Sequence, residues 1–578
     1  MLLLKVSGGV FMLFVAASAS PGHAARNITC PSGTHALPAG CVLDSDVVLD
    51  EPIELESFAT LNCRGHRLLP FRRGSGTTQD TYVPSVPPLA IAITGDRAVT
   101  VKNCVIGEED KRFDFGVIAI NSKNPDRDGH RIRNNEIHAR DSAVILLRVD
   151  DAHVSDNVIS WTNGSGVSVR RDSDRNRITN NLLWSPGLPT MPARLVPDGP
   201  FLSVADDGVQ LAGGFTVAHV LYNLVIDGRL FQFPNFEDGQ YRSLDDNVVE
   251  LNRLSLPGSS TGKSHAAILV AGNTFRSRVV GNTVDQAGVG VRLAGMMAAQ
   301  PVRRAAQCVA PAGQTVDRYC ETSADCFVPG IDAAPLGICP ALVQDVIDWR
   351  ARHTFVESNT LIGPFNSTVL LQRAGIAGGA GTVGGVLRSN QIIGTGAEAG
   401  ITLLGNMLET AVVTRNVVHG ASFGLLLQSG TASRFGARVF LNDITGSTLA
   451  VGVAGPYAFP TELSSNGEGN YWGHVVPPCF GTSDSPIPAL IWDSNPSCEP
   501  VATSATKEGS SDVFAAGPRS SWRLGLDVKE ELRRTARLTP ATRALPAAMR
   551  TPVADRPSGR EVPSLKRRSG RTRFEYRP

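Results

Sequence analysis

"RITNNLLW", residues Arg177–Trp184, places Asn181 three residues after Ile178 and two before Leu183. A polar amide inside so apolar a run needs a physical reason, and the run recurs. The spacing aliphatic-x-x-Asn-x-aliphatic returns at Asn135, Asn157, Asn223, Asn252 and Asn282, then after a gap at Asn359, Asn390, Asn416 and Asn442. The shortest separations, Asn135 to Asn157 to Asn181, are 22 and 24 residues. A period of that length marks a solenoid, in which each repeat buries its apolar face against its neighbours.

The segments between the asparagines read as strands. "GVSVRR" from Gly166, "GVQLAG" from Gly208, "GVGVRL" from Gly288, "GITLLG" from Gly400 and "FGLLLQ" from Phe423 are short, rich in Val, Ile and Leu, and bounded by turn residues. Helix-period stripes long enough for helical or leucine-rich repeats are missing. Three short strands per turn of 22 residues leave a parallel β-helix among the common repeat architectures. In such a coil each of these asparagines is expected at a sharp turn, adopting left-handed angles that Asn tolerates. Stacked at about 4.8 Å, the amides would hydrogen-bond along the coils as a ladder.

Composition agrees with one elongated all-β domain, since 578 residues include 58 Gly and only 19% charged residues. Residues 1–24 read as a secretory signal, with Lys5 ahead of an apolar stretch and cleavage after Ala24. Residues 25–100 form an N-terminal cap and first coils, 101–456 the coil stack, and 457–503 a C-terminal cap. Residues 504–578 carry 17 Lys and Arg against 8 Asp and Glu, so this tail is +9 and the remainder −8 within a net +1. Lacking the Asn period, it reads as disordered. No further stretch is long and apolar enough for a membrane span.

Export makes the ten cysteines readable as disulfides between near neighbours. Cys30 with Cys41 and Cys63 with Cys104 would staple the N-terminal end, and Cys479 with Cys498 the C-terminal end. Cys308, Cys320, Cys326 and Cys339 sit in an insertion at about 300–348, which explains the jump of 77 residues between Asn282 and Asn359. Four thiols also suit zinc, but the CxxC pairs of most such sites are absent.

"LNCRGHRLLP" from Leu61, the Asn-centred coils, and "GNYWGHVVPP" with "SDSPIPALIWDSNP" between Gly469 and Pro496 resemble the right-handed parallel β-helix proteins of the pectin-lyase-like superfamily. The nearest likeness is to the branch of periplasmic copper-binding proteins that assist nitrous oxide reductase. The resemblance spans roughly residues 55–500 and implies the fold, not the function, because its members include lyases, hydrolases, epimerases and carbohydrate-binding surface proteins. Copper handling is opposed by the residues themselves: 7 Met and 11 His are scattered, with Met296 and Met297 the one adjacent pair.

Lyases of this fold hold calcium with several acids and abstract a proton with Arg or Lys, whereas hydrolases need paired acids. No complete motif of either kind stands out. Acids gather at "SVADDGVQL", with Asp206 and Asp207, and at "FQFPNFEDGQYRSLDDN", with Asp245 and Asp246, which are the catalytic candidates. Phe236, Tyr241 and Arg242 in the latter are the candidates for stacking on and hydrogen-bonding a sugar. An Asp before a Gly is also a common turn, and His138, Arg140, Asp141 and His153 likewise read as solvated turn residues. Trp472 is expected to cover the last coil. The expectation is an exported, monomeric protein, periplasmic, secreted or on the cell surface, that binds an envelope glycan or other polysaccharide and no nucleic acid. No cofactor is evident, calcium being required only for a lyase. The alternatives are a polysaccharide lyase or glycoside hydrolase, and a passive structural rod.

Overall fold

The computed structural model describes residues 34–37, 40–71, 87, 89–122, 129–162, 164–170, 172–185, 207–213, 223–226, 229–232, 243–256, 266–294, 300–303, 306–320, 323–327, 334–340, 344–347, 350–365, 374–378, 382–394, 397–404, 411–428, 437–454, 461–465, 469–473, 491–493 and 497. The chain divides into a unit Met1–Glu508 and a unit Gly509–Pro578, the second lying wholly outside the described residues. The first is an all-β, right-handed parallel β-helix.

Each regular coil contributes one strand to each of three faces. In one coil Arg177–Thr179 lies on the first face, Leu182–Trp184 on the second and Val209–Gly213 on the third, before Val248–Glu250 opens the next coil on the first face. Parallel register then aligns equivalent residues. The first face runs Ile132, Val154, Ile178, Val249, Val279, Val356, Leu387, Val413, Val439. The second runs Ile137, Ile159, Leu183, Leu254, Val284, Leu361, Ile392, Val418, Ile444. These are the two aliphatic positions of the repeat, and all point into one core. Burying each such side chain contributes roughly 1.5–3 kcal/mol.

The third face adds an inward column from Val144 through Val167, Val209, Ile268, Val291, Ile376, Ile401 and Leu425 to Val451. Glycine opens many of these strands because the neighbouring coil passes too close for a side chain. A Cβ on Gly208 would lie 2.4 Å from the Ala267 carbonyl oxygen.

The amide of the opening stretch is satisfied four ways. Asn181 Nδ2 donates to Asn252 Oδ1 at 3.0 Å and to the Val154 carbonyl at 2.9 Å. Its Oδ1 accepts from both the backbone N–H and Nδ2 of Asn157, at 3.0 and 2.9 Å. The same pattern runs from Asn135 through Asn157, Asn181, Asn252, Asn282, Asn359, Asn390, Asn416 and Asn442 to Asn470. Two expectations are corrected. Asn223 stands outside the ladder, in an antiparallel hairpin of Asn223–Ile226 with Arg229–Gln232. The left-handed residue is not the ladder Asn but the one before it: Asn134, Asp156, Asn180, Leu251, Gly281, Ser358, Ser389, Arg415 and Leu441 all have φ between +53° and +64°. That residue turns the corner and leaves the amide free to point inward.

Cys104 occupies the rung before Asn135, donating its N–H to Asn135 Oδ1 at 3.0 Å. It is bonded to Cys63, so a disulfide ties adjacent coils where the ladder begins. Cys41 is also disulfide-bonded. At the other end Asn470 and the Trp472 indole both donate to Asp493 Oδ2, and Trp472 is buried in the core cluster. Cys30, Cys479 and Cys498 lie outside the described residues.

The insertion is a small β module on a neck of two antiparallel strands, Gln300–Arg303 and Gln344–Ile347. Within it Ala306–Val309 pairs with Thr315–Cys320, and a Cys308–Cys326 disulfide packs against Val316 and Cys339. Cys339 is disulfide-bonded as well. Beneath it the coil stack continues without a break, Arg278–Val280 pairing directly with Phe355–Glu357.

Candidate functional site

The three faces differ on their outer sides. The outer side of the first face mixes half-buried apolar residues with ion pairs, Arg177 to Glu250 at 2.6 Å and Arg388 to Glu357 at 2.8 Å. The third face is buried on its outer side too, as parallel sheets commonly are. Ile118, Ile120, Ile145 and Leu147 form one outer apolar cluster, and Leu269, Ala271, Val289 and Ala377 belong to another.

A polar seam separates those clusters. Ser168 and Gln210 are in register on adjacent rungs, both fully buried, and Ser168 Oγ donates to Gln210 Oε1 at 3.0 Å. Arg170, half-buried on the same strand as Ser168, donates from Nε to Ser168 Oγ at 2.7 Å and from Nη2 to Gln210 Oε1 at 2.8 Å. Asp207, two residues before Val209, accepts the Ala266 N–H on Oδ1 at 3.0 Å. Arg292 follows further along the register column of Gln210, one strand past Leu269.

Two atoms in this seam are buried without a hydrogen-bond partner, Asp207 Oδ2 and Gln210 Nε2. Three residues apart in the chain, they offer a polar group one acceptor and one donor. Burial pushes the Asp207 carboxyl up to about 7, against the Ala266 hydrogen bond and the charges of Arg292 and Arg170, which favour its ionised form. Burial also lowers Arg170 and Arg292, opposed by Asp207 and, for Arg170, by Asp141. A carboxyl that titrates near neutrality can both give and take a proton.

Asp207 is therefore a buried group, its carboxyl accepting the backbone N–H of Ala266 at the start of the next third-face strand. Asp246 and Asp245 lie away from it, where the third face leads into the first. Asp246 is a half-buried left-handed turn residue whose carboxylate forms a two-point ion pair with Arg276, at 2.7 and 2.6 Å. Asp245 accepts from Ser243 Oγ, and its backbone N–H donates to Asp174 Oδ1 at 2.9 Å. Asp206, Phe236, Tyr241 and Arg242 lie outside the described residues. His138 and Arg140 are not turn residues; both are buried within the long strand Glu136–Val149, where Arg140 pairs with Asp114. His138 bridges Ser160 Oγ at 2.8 Å and Glu136 Oε1 at 2.9 Å.

Sequence reasoning missed Ser168, Arg170, Gln210 and Arg292. The signal was a polar residue at the outward position of otherwise aliphatic strands, in "GVSVRR", "GVQLAG" and "GVGVRL".

No family model and no curated protein matches this sequence. Solved structures similar to it include the A-module of the mannuronan C-5 epimerase AlgE6 of Azotobacter vinelandii, with a TM-score of 0.35 at 10% identity over 72% of this chain and 86% of that one. A tailspike protein of E. coli bacteriophage HK620, in complex with a pentasaccharide, gives 0.36 at 12% identity over 75% of this chain and 58% of its own. PfbA, a surface adhesin of Streptococcus pneumoniae, gives 0.35 at 10% over 71% and 82%. The fold assignment stands on the coil register itself. The likeness to the copper-binding branch is not supported.

Proposed function

We propose that this chain is an exported β-helix protein that binds a polysaccharide along the outer side of its third face. The observation that carries this reading is the pair of buried, unpartnered polar atoms, Asp207 Oδ2 and Gln210 Nε2, in a seam that also holds Arg170, with the charge of Arg292 acting on Asp207 from beyond Leu269. Sugar hydroxyls both donate and accept, so they satisfy a bare carboxyl oxygen and a bare amide together. Guanidinium groups add charge-assisted bonds to ring or carboxylate oxygens. Incubation with a panel of acidic and neutral polysaccharides tests it: the wild type should be retained, and Arg170→Ala with Arg292→Ala should reduce retention. Equal retention of the double variant would move the site elsewhere.

A second reading, a polysaccharide lyase or hydrolase, is favoured by the Asp207 carboxyl standing near neutrality. In that case release of unsaturated or reducing ends accompanies retention, and Asp207→Asn abolishes release while retention persists. No retention and no release on any polymer would leave the structural rod.

A further inference from the structure

The second face leaves more of its outer side exposed than the third. Its strand Leu182–Trp184 sends Leu183 inward and leaves Leu182 and Trp184 half-buried on the outside. Trp184 is in register with Ser160 on one side and Ser255 on the other, and Ser255 with Asp285 beyond. At about 4.8 Å per rung, Asp285 stands roughly two rungs from the indole. Arg253, exposed on the Ser255 strand, flanks the row. On the other side Arg112 Nη1 donates to Ser160 Oγ at 3.1 Å, beside His138.

A large aromatic left half-exposed on a flat sheet, in line with a carboxylate, an exposed guanidinium and a serine, is not explained by the core. The core is closed by the inward column through Leu183 and needs nothing from Trp184. Tryptophan offers a wide apolar plane at little conformational cost and a polar N–H at its rim. Asp285 is partly desolvated, which raises its carboxyl, while Arg253 favours the ionised form.

We infer that the outer second face around Trp184 is a separate saccharide platform, on which a pyranose ring stacks on the indole and its neighbour along the chain hydrogen-bonds to Asp285 and Arg253. The inference rests on the glycan-binding reading above but uses a different face. Its ligand is a glycan of at least two linked rings running along the coil axis, because the polar partners follow Trp184 from rung to rung.

The test is retardation in native gels containing pectate, dextran or hydroxyethylcellulose. The proteins compared are wild type, Trp184→Ala, Trp184→Phe, Asp285→Asn and the Arg170→Ala, Arg292→Ala double variant, each first checked for an unchanged far-ultraviolet spectrum. On the polymer that retards the wild type, Trp184→Ala should weaken apparent binding about tenfold, Asp285→Asn less, and Trp184→Phe should restore most of it. Full retardation of Trp184→Ala, or failure of Trp184→Phe to recover, overturns the platform. If only the double arginine variant fails to bind, the platform falls and the third-face site stands; if only Trp184→Ala and Asp285→Asn weaken, the reverse holds. A wild type retarded by none of the polymers overturns both.

Discussion

At the scale of single residues, the ladder separates two jobs that one asparagine was expected to do. The amide does the hydrogen bonding, and the preceding residue takes the left-handed angles. That residue is not always suited to them: at Leu251, φ is +57° on a branched, exposed side chain. Leu251→Asn should therefore stabilise the protein by about 1 kcal/mol by relieving backbone strain. Denaturant unfolding checks it, and a midpoint unchanged or lowered would show that Leu251 packing outweighs the strain. Asp207 gives a pH prediction of definite sign. Its folded carboxyl titrates at about 7, against an ordinary value of 3.8. Between those values the folded chain holds a proton that the unfolded chain has released, so stability falls as pH rises through the window. Asp207→Asn, which cannot ionise and can still accept the Ala266 N–H, should melt above the wild type at about pH 8 and close to it at about pH 3.5. Equal melting at both pH values would mean that Asp207 is ionised at little cost.

At the scale of elements, the sequence was legible wherever local pattern and global register coincide. The aliphatic residues three before and two after each ladder Asn from Asn135 to Asn442 lie on first-face and second-face strands, so the motif encodes two strands and the corner between them. Asn223 shows the limit. "VLYNLV" has the right spacing, but its segment pairs with itself as a hairpin, and nothing in six residues says whether the partner is local or one coil away. Asn470 was missed for the opposite reason: Gly467 and Trp472 stand at its two aliphatic positions. The polar seam could not be assembled from the sequence, although Asp207 was named, because Ser168 with Arg170, Asp207 with Gln210, and Arg292 come from three coils brought together by stacking. The insertion was legible as a gap in the period, and its antiparallel neck makes it separable. Excising residues 304–343 and joining the neck by a short turn should leave a cooperative melt within a few degrees of the wild type, since Arg278–Val280 pairs with Phe355–Glu357 without it. Loss of cooperativity would show that the module props up the coils beside it.

At the scale of the whole molecule, the stack is nearly one-dimensional: each coil touches the one before and the one after, and free energy is the sum of coil terms and the interfaces between them. Among the described residues, the first rungs are tied by the Cys63–Cys104 disulfide, and at the last Trp472 fills the core and shares Asp493 Oδ2 with Asn470. Removing the indole should therefore act locally. Trp472→Ala takes a large apolar side chain from the terminal coil and releases one hydrogen bond on Asp493, but leaves every interior interface intact. Hydrogen exchange should accelerate at least tenfold in the last strands of the first and second faces, Arg438–Phe440 and Asp443–Thr445, while Arg131–Arg133 and His153–Ser155 keep wild-type protection. Asn282→Leu, in the middle of the ladder, breaks an interface on both sides, removing the donor to the Val249 carbonyl and the acceptor of the Asn252 backbone N–H, so it should lower protection in flanking coils and the melting midpoint together. Uniform acceleration along the chain in Trp472→Ala would mean that the coils open as one cooperative body, and the nearest-neighbour description would fail.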